Sequence, residues 1–276
     1  MRWQQGRTGE LKPLIEASRK NEPGVALWAA VLAFIESESG RQAEARAQFE
    51  ELAADRFESL TREDSGLVVL VLASLVCTAL GDGIRAEQLY GLLLPYEGRN
   101  IVVSEGVAAV GAASQYLGML AATARRPDDA ERHLRDAIQL NSRTGARPWL
   151  AQSQYELARV MLSRRRTGDR KASGELLRAA LGIARDGGLR GLQDKIERML
   201  RSHRRLTPER PDGLTGREQE VLVLVARGKS TREISEQLVL STRTTARHIT
   251  NIYAKIGARN RVEATSYAMR HGLGAS

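Results

Sequence analysis

From about residue 7 to residue 200, apolar positions recur three and four residues apart between short breaks at Gly, Pro and Asp, the period of amphipathic helices. Within this stretch four segments share one pattern: a small residue, a large apolar residue four positions later, and an apolar or small one seven later. They are Ala45/Phe49/Leu52, Ala86/Tyr90/Leu93, Ala130/Leu134/Ala137 and Ala172/Leu176/Ala179, spaced 41, 44 and 42 residues apart. Such spacing puts each triad on one helical face, where alanine lets a neighbouring helix approach and the larger side chain fills the gap. A first helix is expected before each triad, over Val25 to Glu36, Leu67 to Leu80, Ser104 to Ala124 and Trp149 to Ser163, with Gly40, Gly81, Arg126-Pro127-Asp128 and Gly168-Asp169 at the turns. The expected architecture of residues 1–200 is a stack of helical hairpins. An all-α bundle without a groove uses small residues in the same way and stays open as the alternative.

Residues 201–213 carry two prolines and a glycine and interrupt the pattern, which marks a linker. Beyond it, residues 214–273 read as four short helices from their end signals alone. Thr215 with Glu218, Ser230 with Glu233, and Asn260 with Glu263 are capping-box starts, while Gly228, Gly257 and Gly272 are stops. The middle pair, Thr231 to Leu238 and a helix capped by Ser241 that runs to Ile256, with a turn at Val239-Leu240, has the layout of a helix-turn-helix. Ile234, Leu238 and Leu240 are expected to face inward with Ile249, Ile252 and Ile256. Arg243, Thr244, Ala246, Arg247 and Thr250 then lie on the start and outer face of the second helix. Short and cationic side chains there suit a helix that enters a DNA major groove, where Arg can bond guanine O6 and N7.

Composition sharpens this picture. A chain of 276 residues with 4% aromatics and 7 prolines is all-α in character and long enough for two units. The net charge of +9 is uneven: −5 over residues 1–140, +10 over 141–206 and +4 over 207–276. That asymmetry points to a polyanion partner for the C-terminal half, nucleic acid or an anionic membrane surface. Cys77 is the single cysteine, so no internal disulfide forms, and His133, His203, His248 and His271 show no zinc-ligand spacing; no metal or cofactor is expected. The polar N-terminus lacks the apolar core of a signal peptide, and the longest apolar run, Leu67 to Leu80, is short of a membrane span, so a cytoplasmic location and no membrane partner are expected.

The run Leu214-Thr215-Gly216-Arg217-Glu218-Gln219-Glu220-Val221-Leu222, followed by Ala226 to Ser230, Glu233-Ile234, Leu238, Ser241, Thr244, His248-Ile249, Ile252, Lys255-Ile256-Gly257, Asn260-Arg261, Glu263-Ala264 and Gly272-Leu273, resembles the LuxR-type helix-turn-helix domain. The resemblance implies a four-helix module on double-stranded DNA whose third helix reads bases through Ala246, Arg247 and Thr250. It assigns phosphate contacts to Thr231, Arg243, Thr244 and Lys255, and pairing of two copies, a homodimer on DNA, to the fourth helix. The chain departs from the family pattern at Thr231 (usually Asn), Ser235 (usually Ala), Thr245 (usually Val) and Ala246 (frequently Lys or Arg), so one cation that could touch DNA is missing. The repeats loosely resemble tetratricopeptide arrays, with a longer period. They are closer to the degenerate repeats of large ATP-dependent LuxR-type regulators, which the stretches Tyr116 to Leu120 and Gly145 to Ala151 resemble.

Other chemistries find less support. Gly228-Lys229-Ser230 ends a P-loop signature, but Val223 stands where its first glycine belongs and no strand precedes it, so neither binding nor hydrolysis of ATP is expected. Lys229 reads as a turn residue near phosphate or a solvated charge. His248 reads as structural or phosphate-facing, and Cys77 as a core residue rather than a redox sensor. The runs Arg164-Arg165-Arg166 and Arg204-Arg205 read as solvated loops or as auxiliary DNA contacts. No catalytic constellation emerges, so no enzyme is expected. The expected function is a transcription regulator whose repeats receive a protein or small-molecule signal or mediate assembly. The alternatives are a protein-interaction scaffold and a truncated regulatory portion of an ATP-dependent regulator, whose Walker-bearing domain a chain starting at Met1 is expected to lack. A sigma-factor-like terminal domain is disfavoured by the segment from Asn260 to His271.

Overall fold

The computed structural model describes residues 8–62, 65–103, 108–205 and 213–273. Its residue contacts divide into two compact units, Met1–Arg201 and Ser202–Ser276. Helix dominates both, in agreement with the all-α expectation.

The first unit runs α1 (Lys12–Asn21), α2 (Ala26–Glu38), α3 (Gln42–Leu52), α4 (Gly66–Leu80), α5 (Gly83–Leu93), strands β1 (Asn100–Val103) and β2 (Ala108–Ala112), α6 (Ala113–Thr123), α7 (Pro127–Arg143), α8 (Arg147–Arg164), α9 (Asp169–Asp186) and α10 (Arg190–Arg205). Consecutive helices pack as pairs, α2 on α3, α6 on α7 and α8 on α9, while α2, α4, α6 and α8 also meet one another. The first three triads are buried, with Ala45, Phe49, Ala86, Leu93, Ala130, Leu134 and Ala137 fully enclosed. The fourth is displaced by one residue: Ala172 and Leu176 are half-buried and Ala179 is exposed, whereas Ser173, Leu177 and Ala180 are fully buried. Of these, Leu177 and Ala180 belong to a separate cluster with Ala151, Tyr155 and Ala158 of α8 and with Leu192 and Ile196 of α10, and this packing sets the register of α9.

The helix expected over Ser104 to Ala124 begins only at Ala113. Upstream of it the chain forms an antiparallel hairpin, favoured by the β-branched residues Ile101, Val102, Val103 and Val110. Its register shifts after Ile101, leaving Val110 without an opposite residue, and Gly111 takes φ +93° beneath the Trp149 ring, where a Cβ would lie 2.9 Å from Cδ2. The Tyr116 hydroxyl donates to the Val110 carbonyl. Helix α10 extends helix through Arg205, into the segment expected as a linker, and residues 206–212 of that linker lie outside the described residues.

Helices α6 and α7 approach closely at Gly118. A Cβ there would lie 2.5 Å from Leu134 Cγ and 3.1 Å from the Ala130 carbonyl of α7. Gly118→Val is expected to destabilise the unit by about 1–3 kcal/mol through overpacking. An unchanged thermal midpoint of the full chain by circular dichroism would refute this.

Pairing across neighbouring elements engages part of the uneven charge. Arg164 bonds Glu131 and, at 2.8 Å, Asp169. Arg166 meets Asp128 at 2.6 Å, Lys195 meets Glu38 at 2.9 Å and Arg147 meets Asp186 at 3.0 Å. These four cations of residues 141–206 are thus held by acidic partners within the array. The arginine run 164–166 is correspondingly structural at Arg164 and Arg166. The side chains of Arg204 and Arg205 lie outside the described residues.

Candidate nucleic-acid interface

The second unit contains α11 (Gly216–Ala226), α12 (Thr231–Leu238), α13 (Thr242–Ile256) and α14 (Arg261–Arg270). Local chemistry sets the boundaries. Thr215 and Ser230 close full capping boxes with Glu218 and Glu233, and Ser241 accepts the Thr244 N–H at 3.0 Å. At α14 the box is altered: Asn260 accepts the Glu263 N–H, while the Glu263 carboxylate takes the N–H of Arg259. Gly257 ends α13 at φ +66°, a left-handed cap that glycine adopts without strain.

An apolar core of Leu214, Val221, Leu222, Val225, Ile234, Ile252, Ala264 and Tyr267 holds the four helices together, with Leu238, Ile249 and Ile256 packed on it. Leu240 is half-buried in the turn and lies outside this cluster. The turn itself uses Val239 at φ +53°, a costly conformation for a β-branched residue, with its side chain 91% exposed. Two arginines lock the frame: Arg217 donates to the Leu238 carbonyl, and Arg261 donates to the carbonyls of Val225 and Lys229 at the end of α11.

On this frame Arg243, Thr244, Ala246, Arg247 and Thr250 are all exposed along one side of α13. The Thr250 hydroxyl donates to the Ala246 carbonyl at 3.1 Å. Thr244 Oγ1 lies 2.7 Å from Ser241 Oγ, and Thr231 is half-buried as the first residue of α12. His248 is half-exposed on α13.

Electrostatics distinguish α13 from its neighbours. Arg217 pairs with Glu220 at 2.7 Å, Lys229 with Glu233 at 3.0 Å and Arg232 with Glu236 at 3.1 Å. Among the described residues, Arg243 and Arg247 have neither an ion-pair nor a hydrogen-bond partner. Helix α13 contains no acidic residue, whereas α11, α12 and α14 each carry a glutamate in the first turn. The positive end of the α13 dipole and the two guanidiniums therefore stand uncompensated by neighbouring carboxylates.

Lys255 is placed differently from the other sequence-derived site residues. Its ammonium donates to Glu218 at 2.7 Å and to the Gly213 carbonyl at 3.3 Å. Burial alone would raise the Glu218 carboxyl, but Lys255 and the Thr215 N–H outweigh it and hold its pKa at about 2. Lys255 therefore braces the start of α11.

Outside this unit, the structure assembles one cluster that spacing did not show. His133 is fully buried, with Nε2 2.8 Å from the Tyr90 hydroxyl and Nδ1 2.9 Å from Glu97 Oε1, close but not aligned as a hydrogen bond. Glu97, His133 and Asp136 have the proximity of a metal-ligand set, yet the Arg132 guanidinium already serves as their cation, 2.6 Å from Glu97 Oε1. Burial first, and Arg132 second, push the His133 pKa down. The cluster joins Tyr90, Glu97 and helix α7, with Tyr90 and His133 43 residues apart, so no local sequence signal marks it. Cys77 is buried, and burial pushes its thiol up to about 12, an unreactive setting.

Residues 212–268 match the family described as bacterial regulatory proteins, luxR family. Among curated proteins, the uncharacterized transcriptional regulatory protein YvfU of Bacillus subtilis is 37% identical over 97 residues, covering 33% of this chain and 48% of that protein. The transcriptional regulatory protein LiaR of Bacillus subtilis is 44% identical over 62 residues, 22% of this chain and 29% of that protein. The response regulator protein VraR of Staphylococcus aureus is 34% identical over 74 residues, 27% of this chain and 35% of that protein. The chain thus spans less than half the length of these relatives. No solved structure matches it. No helix among the described residues is long and apolar enough to cross a membrane.

Proposed function

Starting from the finding that residues 212–268 are a luxR-family helix-turn-helix domain, we propose that this chain is a transcriptional regulator that binds double-stranded DNA with α13 in the major groove. The observation that carries the reading is the side of α13 on which Arg243 and Arg247 lie exposed without partners among the described residues, on a helix that has no acidic residue. Arg247 offers its planar fork to a base edge, Ala246 permits close approach, and the Thr250 hydroxyl, its hydrogen directed to the Ala246 carbonyl, keeps lone pairs for a base donor. Arg243, Thr244 and Thr231, at the starts of α13 and α12, serve phosphates. Lys255 acts on DNA binding through the fold. Selection of bound sequences from random duplexes with the purified chain tests the proposal. A preferred site, with affinity falling steeply as salt rises, supports it; no enrichment and no salt dependence would end it.

Pairing of two modules on DNA runs through α14, where Val262 (74% exposed) and Met269 (56%) lie seven residues apart on one face. Val262→Ser with Met269→Ser is expected to leave the fold intact and to convert a two-protomer complex on the selected site into a one-protomer complex in a mobility-shift titration. An unchanged two-protomer complex would contradict it.

The helical array receives the signal or mediates assembly. Supporting this, a cavity of about 390 Å³ opens among α4, α6, α8 and α10, with Met119, Val160 and Met199 as apolar lining and Glu156 and Arg159 as its charged pair. The comparison that checks it is DNA affinity of the full chain against residues 207–276, which have their own core and are expected to fold alone as four helices. Equal affinity and equal assembly state would remove the regulatory role.

A further inference from the structure

Helices α12 and α13 pack together through a core that is apolar except at two hydroxyls. Ser235 is 4% exposed and Thr245 fully buried, and their oxygens lie 2.8 Å apart. Ser235 Oγ is also 2.7 Å from the Thr231 carbonyl oxygen. A carbonyl only accepts and a serine hydroxyl has one hydrogen, so Ser235 donates to Thr231 and accepts from Thr245. The result is a line from Thr245 through Ser235 to the backbone of Thr231, with each hydroxyl hydrogen used once.

This line differs in kind from the packing around it. Contacts of Ile234 and Ile252 are non-directional and tolerate small sliding or rotation of one helix on the other. A hydrogen bond restricts distance and angle together. Its two ends are also informative: Thr231 opens α12, and Thr245 stands between Thr244 and Ala246 on α13. Two of the four positions at which the chain departs from the pattern it resembles, Ser235 and Thr245, supply the hydroxyls of this line, which ends on the backbone carbonyl of Thr231. The chemistry makes them a unit, because a buried threonine at 245 facing alanine at 235 would keep an unpaired hydroxyl.

We infer that Ser235 and Thr245 are a positioning pair that sets the placement of α13 relative to α12, and so determine DNA sequence specificity without touching DNA. The inference rests on the reading of α13 as the recognition helix. In its absence from DNA the pair is only a core contact; on DNA it fixes where Arg247 and Thr250 meet the base edges while α12 is held by phosphates.

The test uses the full chain and two duplexes: one recovered by selection from a random pool with the wild-type chain, and a scrambled version of it. Thr245→Val removes one hydroxyl while Ser235 keeps its bond to the Thr231 carbonyl, and Ser235→Ala with Thr245→Val removes both, so neither variant buries an unpaired donor. Both are expected to unfold within a few degrees of wild type. Both should hold the scrambled duplex as well as wild type does and bind the selected duplex about tenfold more weakly, a difference of about 1.4 kcal/mol. Thr245→Ser, which retains the hydroxyl, should keep the wild-type ratio. A wild-type ratio in Thr245→Val overturns the inference, as does an equal loss on both duplexes. If the wild-type chain itself does not separate the two duplexes, the recognition-helix reading falls and this inference with it.

Discussion

Arg247→Ala is expected to weaken binding to the best site by about 1–3 kcal/mol and to relax preference at one base pair. The expectation follows from position and from the absence, among the described residues, of any internal claim on the guanidinium. Arg247 lies one helical turn beyond Arg243, about 6 Å further along the axis, on the exposed side of α13. The comparison is Arg243→Ala, in the first turn, where a cation meets the backbone. Its loss should weaken all sequences about equally and flatten the slope of log affinity against log salt by about 1. Titration of wild type and both variants against selected and scrambled duplexes at several salt concentrations separates the two roles. Equal loss on both duplexes for Arg247→Ala would refute base reading; no loss for either variant would refute the placement of α13 in DNA.

The second large effect concerns the brace under the module. Lys255→Ala is expected to cost the C-terminal unit about 1–3 kcal/mol at neutral pH, because it leaves the Glu218 carboxylate, only 5% exposed, without its cation. The pH dependence has a definite sign. In the folded protein Glu218 is held at about 2, below its ordinary 4.5, so its contribution is fully present above pH 4.5 and is lost as pH falls toward 2. Without Lys255 the carboxyl loses its cation and moves back up, because burial still opposes its charge. The stability gap between wild type and Lys255→Ala should therefore be widest above pH 5 and close on acidification. Thermal unfolding of residues 207–276 across pH 2–7, followed by helical circular dichroism, measures it. A gap that is constant with pH, or no gap at all, would mean that the pair does not support the fold. DNA affinity lost in Lys255→Ala should return under conditions that refold the unit, which a direct phosphate contact would not allow.

Much of the C-terminal unit was legible because its signals are local. Thr215, Ser230, Ser241 and Asn260 cap helices within three residues of themselves, and the positions of Ile234 and Ile252 follow from helical period alone. The exposed side of α13, with Arg243 and Arg247, follows from the same period. What local pattern could not supply was the partner of each polar group. Lys255 and Glu218 are 37 residues apart, and nothing in either neighbourhood says that they meet.

The same division holds in the array. The period of the small and large residues determined that helices pair and which faces three of the second helices bury. Packing against α8 and α10 decided the one-residue shift in α9, and Trp149 over Gly111 accompanies the hairpin where helix was expected. Composition counted the charges, yet only tertiary structure could cancel Arg164 and Arg166 against Asp128, Glu131 and Asp169 and leave Arg243 and Arg247 without a partner among the described residues. By itself, then, the sequence determined most of the helices, their caps and the side of α13 that presents Arg243 and Arg247, because these depend on interactions within a turn or two of the chain. Tertiary structure decided which charges remain available and which hydroxyls bond to each other, because those energies depend on burial and on contacts between residues distant in sequence.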